Sequence, residues 1–305
     1  MMFELLPLER HLFLGILVLS FVSSVLGYMQ IAKAHAKFTR ILYACASLQI
    51  VLAAALLVSR AVAVRGLPIT GVFESMLFLM IFIGVTFLSL AIYVRQAWFL
   101  SVMAWALLVI VLLSAVVAKP AAALQDAAQT PWVVVHAVAM SLAGAMIVFA
   151  AAMSVLFLWS RMRLKGKQFL NLFGAMPTIE KLESLNLLGL RLSFAALTFG
   201  LISGVGLVAS RSAALGMTTA DWLTDSKIVL IAVSWILLLL VLLLRRLLAF
   251  SGKTIAQATL FIFFLVIFAF IGSKIFCKSD HDFAYQTQTR NPHIERMYAD
   301  HTGRH

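Results

Sequence analysis

Residues 227–248 read KIVLIAVSWILLLLVLLLRRLL, an apolar run between Lys227 and the pair Arg245-Arg246. A helix needs about 20 predominantly apolar residues to cross the hydrocarbon core of a bilayer, and this run is long enough to do so. Hydrocarbon offers no water to bond exposed N–H and C=O groups, so the backbone must pair within its own segment. The run therefore predicts a transmembrane helix.

Similar runs recur along the whole chain. We expect eight transmembrane helices, near residues 11–31, 41–62, 71–94, 98–118, 132–159, 187–209, 227–248 and 255–276. Of the 305 residues, 63% are hydrophobic and 12% are charged, whereas a soluble domain is about 25% charged. The sequence therefore predicts an all-α, polytopic membrane helix bundle and excludes a soluble enzyme.

The chain reads as one membrane domain. We expect residues 1–276 to form it and residues 277–305 to be a polar, mobile tail. The first apolar run follows Glu4 and Glu9, is too long for a signal peptide and lacks a small-residue cleavage site, so we expect it to remain. Between the fifth and sixth runs, Thr178–Leu190 is amphipathic and predicts a helix on the inner membrane face.

The net charge of +12 is unevenly distributed among the loops. One set of alternate loops holds Lys33, Lys37, Arg40, Arg95, Arg161, Arg163, Lys165, Lys167, Lys181, Arg191, Arg245, Arg246 and Lys253. The other set holds Arg10, Arg60, Arg65, Lys119, Arg211 and Lys227. Positive residues concentrate on the cytoplasmic side, so this pattern predicts an N-out/C-out protein, which we place in a bacterial inner membrane. Topology and anionic lipid explain the charge without a nucleic-acid partner.

Two residues near predicted outer ends are candidates for chemistry. Glu74 begins the third run, where a carboxylate is costly unless it is interfacial or paired. It is either an acid that caps the helix or a fixed acid of an outward-facing site. His136 lies one turn inside the fifth run, and neutral imidazole is a common ligand of metals and haem iron. A histidine this close to the interface can equally be solvated or bonded to a neighbouring helix.

The outer segment 210–227 and the tail supply further candidates. Trp222 and Asp225 lie where a tryptophan usually anchors a helix at the membrane boundary. The tail contains His281 between two aspartates, a combination that binds metal weakly in mobile segments. For these residues the residue types alone favour anchoring and solvation over a defined site.

Several segments together carry a family resemblance. Residues 68–75 read PITGVFES, residues 197–204 read LTFGLISG, and His136 starts the helix after an outer loop. In this the chain resembles the membrane haem-handling proteins of cytochrome c assembly, namely the CcsA-type synthase component and its HemX-like and YpjD-like relatives. In the first motif Gly71 replaces the usual asparagine. The resemblance extends over roughly residues 60–281.

The tryptophan-rich outer loop of that family is only partly matched. Its core reads W-x-W-D-P-K-E-x-W, and the aligned residues 222–230 read WLTDSKIVL. Trp222, Asp225 and Lys227 match, and Trp235 also aligns. The family's other tryptophans, its proline and its glutamate are replaced, which removes much of the aromatic surface on which haem would stack.

The resemblance implies haem as the cofactor and a set of residues for it. His136 would be an axial ligand of the iron, with Trp222, Asp225 and Glu74 as further binding residues, and His281 would match a second ligand by its spacing from Gly272. Other cytochrome c assembly proteins or an apocytochrome would be partners. An assembly factor is expected rather than a stand-alone catalyst.

Three functions stay open on the sequence alone. The first is haem handling at the outer face in cytochrome c biogenesis. The second is a HemX-like regulatory or scaffold protein of the tetrapyrrole pathway that does not ligate haem. The third is a small-molecule transporter, which the scarcity of charged residues at the centres of the spans disfavours.

Overall fold

The computed structural model describes residues 5–33, 38–64, 72–94, 97–117, 131–165, 178–215, 224–248 and 251–269. Its long helices are α1 (Pro7–Lys33), α2 (Phe38–Val64), α3 (Val72–Val94), α4 (Ala97–Val117), α5 (Pro131–Lys165), α6 (Ile179–Leu215), α7 (Ser226–Leu248) and α8 (Gly252–Ile267). Each predicted apolar run corresponds to one of them. Seven are long and apolar enough to cross a membrane, while the described part of α8 has 16 residues. The predicted all-α membrane helix bundle is confirmed.

Consecutive helices run in opposite directions. The starts of α1 and α3 meet the end of α2, where Arg60 bonds both Glu9 and Glu74. At the other end of the bundle, Arg245 near the end of α7 pairs with Glu183 near the start of α6. We call the end that contains the starts of α1, α3, α5 and α7 the outer end, following the topology predicted from charge, and the opposite end the inner end.

Helix α5 lies at the centre and divides the apolar core into two clusters. In the first, α3 and α4 pack against one side of α5, and α1 and α2 pack against α3 and α4. Phe87, Phe99 and Phe149 in this cluster contact one another with ring centroids 5.3 to 6.2 Å apart. In the second, α6 and α8 pack against α5, and α7 packs against α6 and α8. As a result α5 is the most buried of the seven spans. Residues on α5 are therefore positioned by neighbours from both halves of the bundle.

Small residues bring the helix backbones close together. A Cβ added at Gly27 of α1 would lie 3.0 Å from the Cα of Ser101 on α4. Nearby, the hydroxyl of Ser24 donates to the carbonyl oxygen of Ala104 at 3.1 Å. Helices in lipid usually associate through such small residues and through interhelical hydrogen bonds. Burial of apolar side chains contributes little to this association, because lipid tails are equally apolar.

Helix α6 corrects one prediction. The amphipathic stretch Thr178–Leu190 was expected to lie on the inner membrane face, but it continues without a break into the transmembrane part of a 37-residue helix. The physical reason is that its apolar side packs on other helices, since Leu182 and Leu190 are fully buried. At about 1.5 Å per residue, α6 is some 55 Å long, whereas the hydrocarbon core is about 30 Å thick. The helix is therefore longer than one membrane crossing requires.

Candidate functional site

His136 lies on α5, just inside the outer end. Its Nδ1 is 2.8 Å from the carbonyl oxygen of Gly200 on α6. Because a carbonyl oxygen only accepts, this contact assigns the proton to Nδ1, and in the neutral ring Nε2 keeps its lone pair. Histidines that ligate metals are commonly held in this way, with one nitrogen bonded to a backbone group and the other available.

Glycines on α6 make this contact possible. A Cβ added at Gly200 would lie 2.5 Å from the sulfur of Met140, and one at Gly206 would lie 2.9 Å from the ring of Trp132. Both positions show α6 pressed closely against α5. Glycine spacing in this segment is typical of close helix contact, and the structure shows that contact beside His136.

A cavity of about 680 Å³ lies beside His136. One of its walls is a stripe of α5 at helical spacing, which contains His136, Met140, Gly144, Ile147 and Ala151. The other walls come from α3, α4, α6, α7 and α8, and most of the lining side chains are apolar. Its volume falls within the range of roughly 300–1,000 Å³ that is usual for small-molecule sites.

Most polar side chains of the cavity lie towards its outer end, and Ser141 of α5 lies deeper. Ser75 lies near the start of α3, His136 near the start of α5 and Lys227 near the start of α7, and all three line the cavity. Among the described lining residues, Lys227 is the one that carries a full charge. The cavity is thus apolar along its length, with an imidazole and a cation at one end.

The cavity is open on one side. Trp105, Val109, Val155 and Phe264 line it, yet they are 40%, 55%, 55% and 65% exposed. These residues belong to α4, α5 and α8, so the opening lies between α4 and α8, on a face of the bundle that would meet lipid. A ligand in this cavity could therefore touch the bilayer and the protein at once.

Asp225 caps helix α7 at the outer end. Its Oδ1 accepts a hydrogen bond from the backbone N–H of Lys227 at 2.9 Å, and its carbonyl oxygen accepts from Val229 N–H at 3.0 Å. The residue is 9% exposed. A side-chain oxygen that bonds a free N–H of the first turn is the usual role of aspartate at such a position. Asp225 thus fixes the backbone that carries Lys227, and the described cavity lining does not include Asp225.

Glu74 belongs to a buried ion cluster rather than to the described lining of the cavity. Arg60 donates from Nε to Glu74 Oε1 at 3.0 Å and from Nη1 to Glu9 Oε2 at 3.4 Å. Glu9 also accepts from the backbone N–H of Leu6 at 3.1 Å. Both carboxylates are completely buried. Glu74 is therefore held by a cation at the outer end, while its neighbour Ser75 lines the cavity.

The remaining predicted residues are placed as follows. Trp222 and His281 lie outside the described residues. Trp235 packs on α6, where its ring stacks on Phe194 with centroids 5.4 Å apart and its Nε1–H donates to Thr198 Oγ1 at 2.8 Å. Among the predicted residues, the structure therefore brings His136 to the cavity and sets Asp225 beside it.

Sequence reasoning missed the ion cluster. In the sequence, Arg60 looks like a charged residue of the loop after the second apolar run. Glu9 looks like an acidic residue that precedes the first run. One available signal was that Arg60 stands inside an apolar context, VSRAVAV, which makes a cation expensive unless it is paired. The pairing itself depends on which helix ends adjoin, and the sequence does not supply that.

With this geometry in view, comparison with known proteins decides the family. The model of the family described as cytochrome C assembly protein matches residues 69–280, more than half of the chain. The chain belongs to the cytochrome c assembly protein family. A role in cytochrome c biogenesis follows from this membership. A search of curated proteins finds no match.

The family match coincides with the helices that build the cavity. The helices that contribute the described lining, α3 to α8, all lie within residues 69–280. Helices α1 and α2 precede the matched residues. Arg60 of α2 bonds both Glu9 of α1 and Glu74 of α3, so the ion cluster joins these two helices to the matched region. The part of this cytochrome c assembly protein that carries the cavity is therefore the part shared with its family.

Proposed function

We propose that the chain binds haem in this cavity, where His136 would hold the iron, and so handles haem during cytochrome c biogenesis. One observation carries the proposal. The imidazole of His136 lines the cavity while its Nδ1 is tied to the carbonyl oxygen of Gly200. That bond leaves Nε2 as the nitrogen able to donate an electron pair.

The residues present fit a haem. Its macrocycle is large, flat and apolar, and the walls of the cavity are mostly apolar side chains. Close packing of the macrocycle against these side chains would contribute van der Waals attraction. A histidine on the wall supplies the ligand type that haem proteins use most often. When bound, the iron supplies the ligand-binding and electron-transfer chemistry.

The residues of the chain would bind and orient this group. The carbonyl oxygen of Gly200 holds the His136 ring in one tautomer, and the stripe of α5 provides a mostly apolar wall. The opening between α4 and α8 allows an apolar molecule to enter from the bilayer without crossing a polar surface. These tasks require binding and release, and they suit an assembly factor.

An absorption spectrum tests this function. The protein, purified in detergent after expression with ample haem, is expected to show a Soret band with α and β bands on reduction. His136→Ala should weaken haem binding by about 10- to 100-fold and shift the band, because it removes the proposed iron ligand. The measurement is a haem titration followed at the Soret maximum.

A matched control comes from α1. His11 also has its Nδ1 bonded to a backbone carbonyl, that of Pro7 at 2.6 Å, but it is exposed and lies far along the chain from the cavity helices. His11→Ala should leave the titration unchanged. If both variants behave like the wild type, His136 is not the ligand. If the wild-type protein binds no haem, the proposal fails and the HemX-like scaffold function becomes the better one.

A further inference from the structure

Lys227 lies at the outer rim of the cavity. It is partly buried on the first turn of α7 and lines the cavity together with Ile228 and Ile231 of the same helix. His136, on the first turns of α5, lines the same cavity. The cation and the imidazole therefore belong to the same end of one apolar cavity.

The backbone that carries Lys227 is fixed in place. Its N–H donates to the capping carboxylate of Asp225 at 2.9 Å. Ile228 and Ile231 are buried, so this face of α7 is anchored against the bundle. The start of the Lys227 side chain is therefore fixed beside the cavity that the residue lines.

A cation at the rim of an apolar cavity selects a particular kind of ligand. Charge-assisted hydrogen bonds between an ammonium and a carboxylate are about twice as strong as bonds between neutral groups. The interaction gains further strength where water is partly excluded. The fitting ligand has an apolar body and an acidic group at one edge.

We propose that Lys227 binds a carboxylate of the ligand and so sets its orientation. The acidic edge then lies at the outer rim, and the apolar edge lies deep along the α5 stripe. This inference rests on the proposed function, because for haem the acidic groups are its two propionates. Lys227 acts as an orienting residue, whereas His136 holds the iron.

Paired ligands test the inference. Haem and haem dimethyl ester, in which both propionates are blocked, are titrated into the detergent-purified wild-type protein and into Lys227→Met. The wild type is expected to bind haem about tenfold more tightly than the ester, which corresponds to about 1.4 kcal/mol. Lys227→Met should lose that preference by weakening haem binding about tenfold while leaving ester binding unchanged. Unchanged ester binding also shows that the cavity of the variant is intact.

Two further variants sharpen the result. Lys227→Arg keeps the charge and should restore most of the preference for haem. Lys253→Met removes an exposed cation at the start of α8, near the inner end, and should change neither titration. An equal loss of both ligands in Lys227→Met, or no loss of either, would overturn the orienting role while haem binding stands. A wild-type protein that binds neither ligand would overturn this inference and the proposed function together.

Discussion

Replacement of Arg60 by methionine is expected to destabilise the protein by about 3–5 kcal/mol. The guanidinium bonds Glu9 at 3.4 Å and Glu74 at 3.0 Å, and the side chain of Arg60 is 6% exposed. Methionine has a similar length but no charge, so two buried carboxylates would lose the cation that bonds both. An uncompensated buried charge is one of the most destabilising changes a single substitution can make.

The measurement is the midpoint of thermal unfolding in one detergent, followed by tryptophan fluorescence. Arg191→Met, which removes an exposed arginine of α6, should shift the midpoint little. The triple variant Glu9→Gln, Arg60→Met, Glu74→Gln should recover much of the loss, because replacement of a whole buried ion cluster by neutral groups is often nearly neutral. An Arg60→Met midpoint equal to that of the wild type would contradict the view that the cluster stabilises the fold.

Gly189→Val is the second substitution with a large expected effect. A Cβ at Gly189 would lie 2.9 Å from Phe149 and only 3.0 and 3.2 Å from the Cβ and Cα of Ala150 on α5. The Ala150 atoms cannot move aside without a shift of the α5 backbone. We expect a loss of about 3 kcal/mol, at the upper end of the usual range for overpacking, because α5 and α6 form the central helix contact.

Gly15→Val is the matched control for this substitution. A Cβ at Gly15 on α1 would meet one atom, the end of the Leu52 side chain, at an ordinary 3.7 Å. Both substitutions place the same side chain in a helix, so the difference between their unfolding midpoints isolates the packing at α5. Equal midpoints would show that the α5–α6 contact yields to the added volume.

The fold was largely predictable because bilayer thickness limits the length of an apolar helix. Each of the eight runs became a helix, and the alternation of their ends follows from short connections. The error at Thr178–Leu190 has a physical cause. An amphipathic pattern predicts that one side of a helix is buried. It does not say whether lipid or other helices cover that side. Leu182 and Leu190 are buried by protein.

The candidate site was predictable in part. Residue type and position in the sequence indicate His136, and the structure places it on the cavity wall. They also indicate Glu74, but they do not predict its ion pair, because Arg60 and the second carboxylate, Glu9, come from two other helices. Asp225 stays a predicted binding residue, and the structure adds a capping bond from its carboxylate to the backbone of Lys227 that the sequence did not predict. Contacts between helix ends depend on packing, and a single sequence does not encode them in any local pattern.

The sideways opening between α4 and α8 changes what a binding measurement on this protein means. In a bilayer or a micelle, acyl chains occupy a cavity that opens towards them. A ligand therefore enters by displacing acyl chains rather than by filling empty space. By mass action, the apparent affinity then falls as the concentration of the competing amphiphile rises. The same protein should bind a given ligand with different apparent strength in short-chain and long-chain detergents, and a nanodisc of defined lipid provides the reference state for comparing variants.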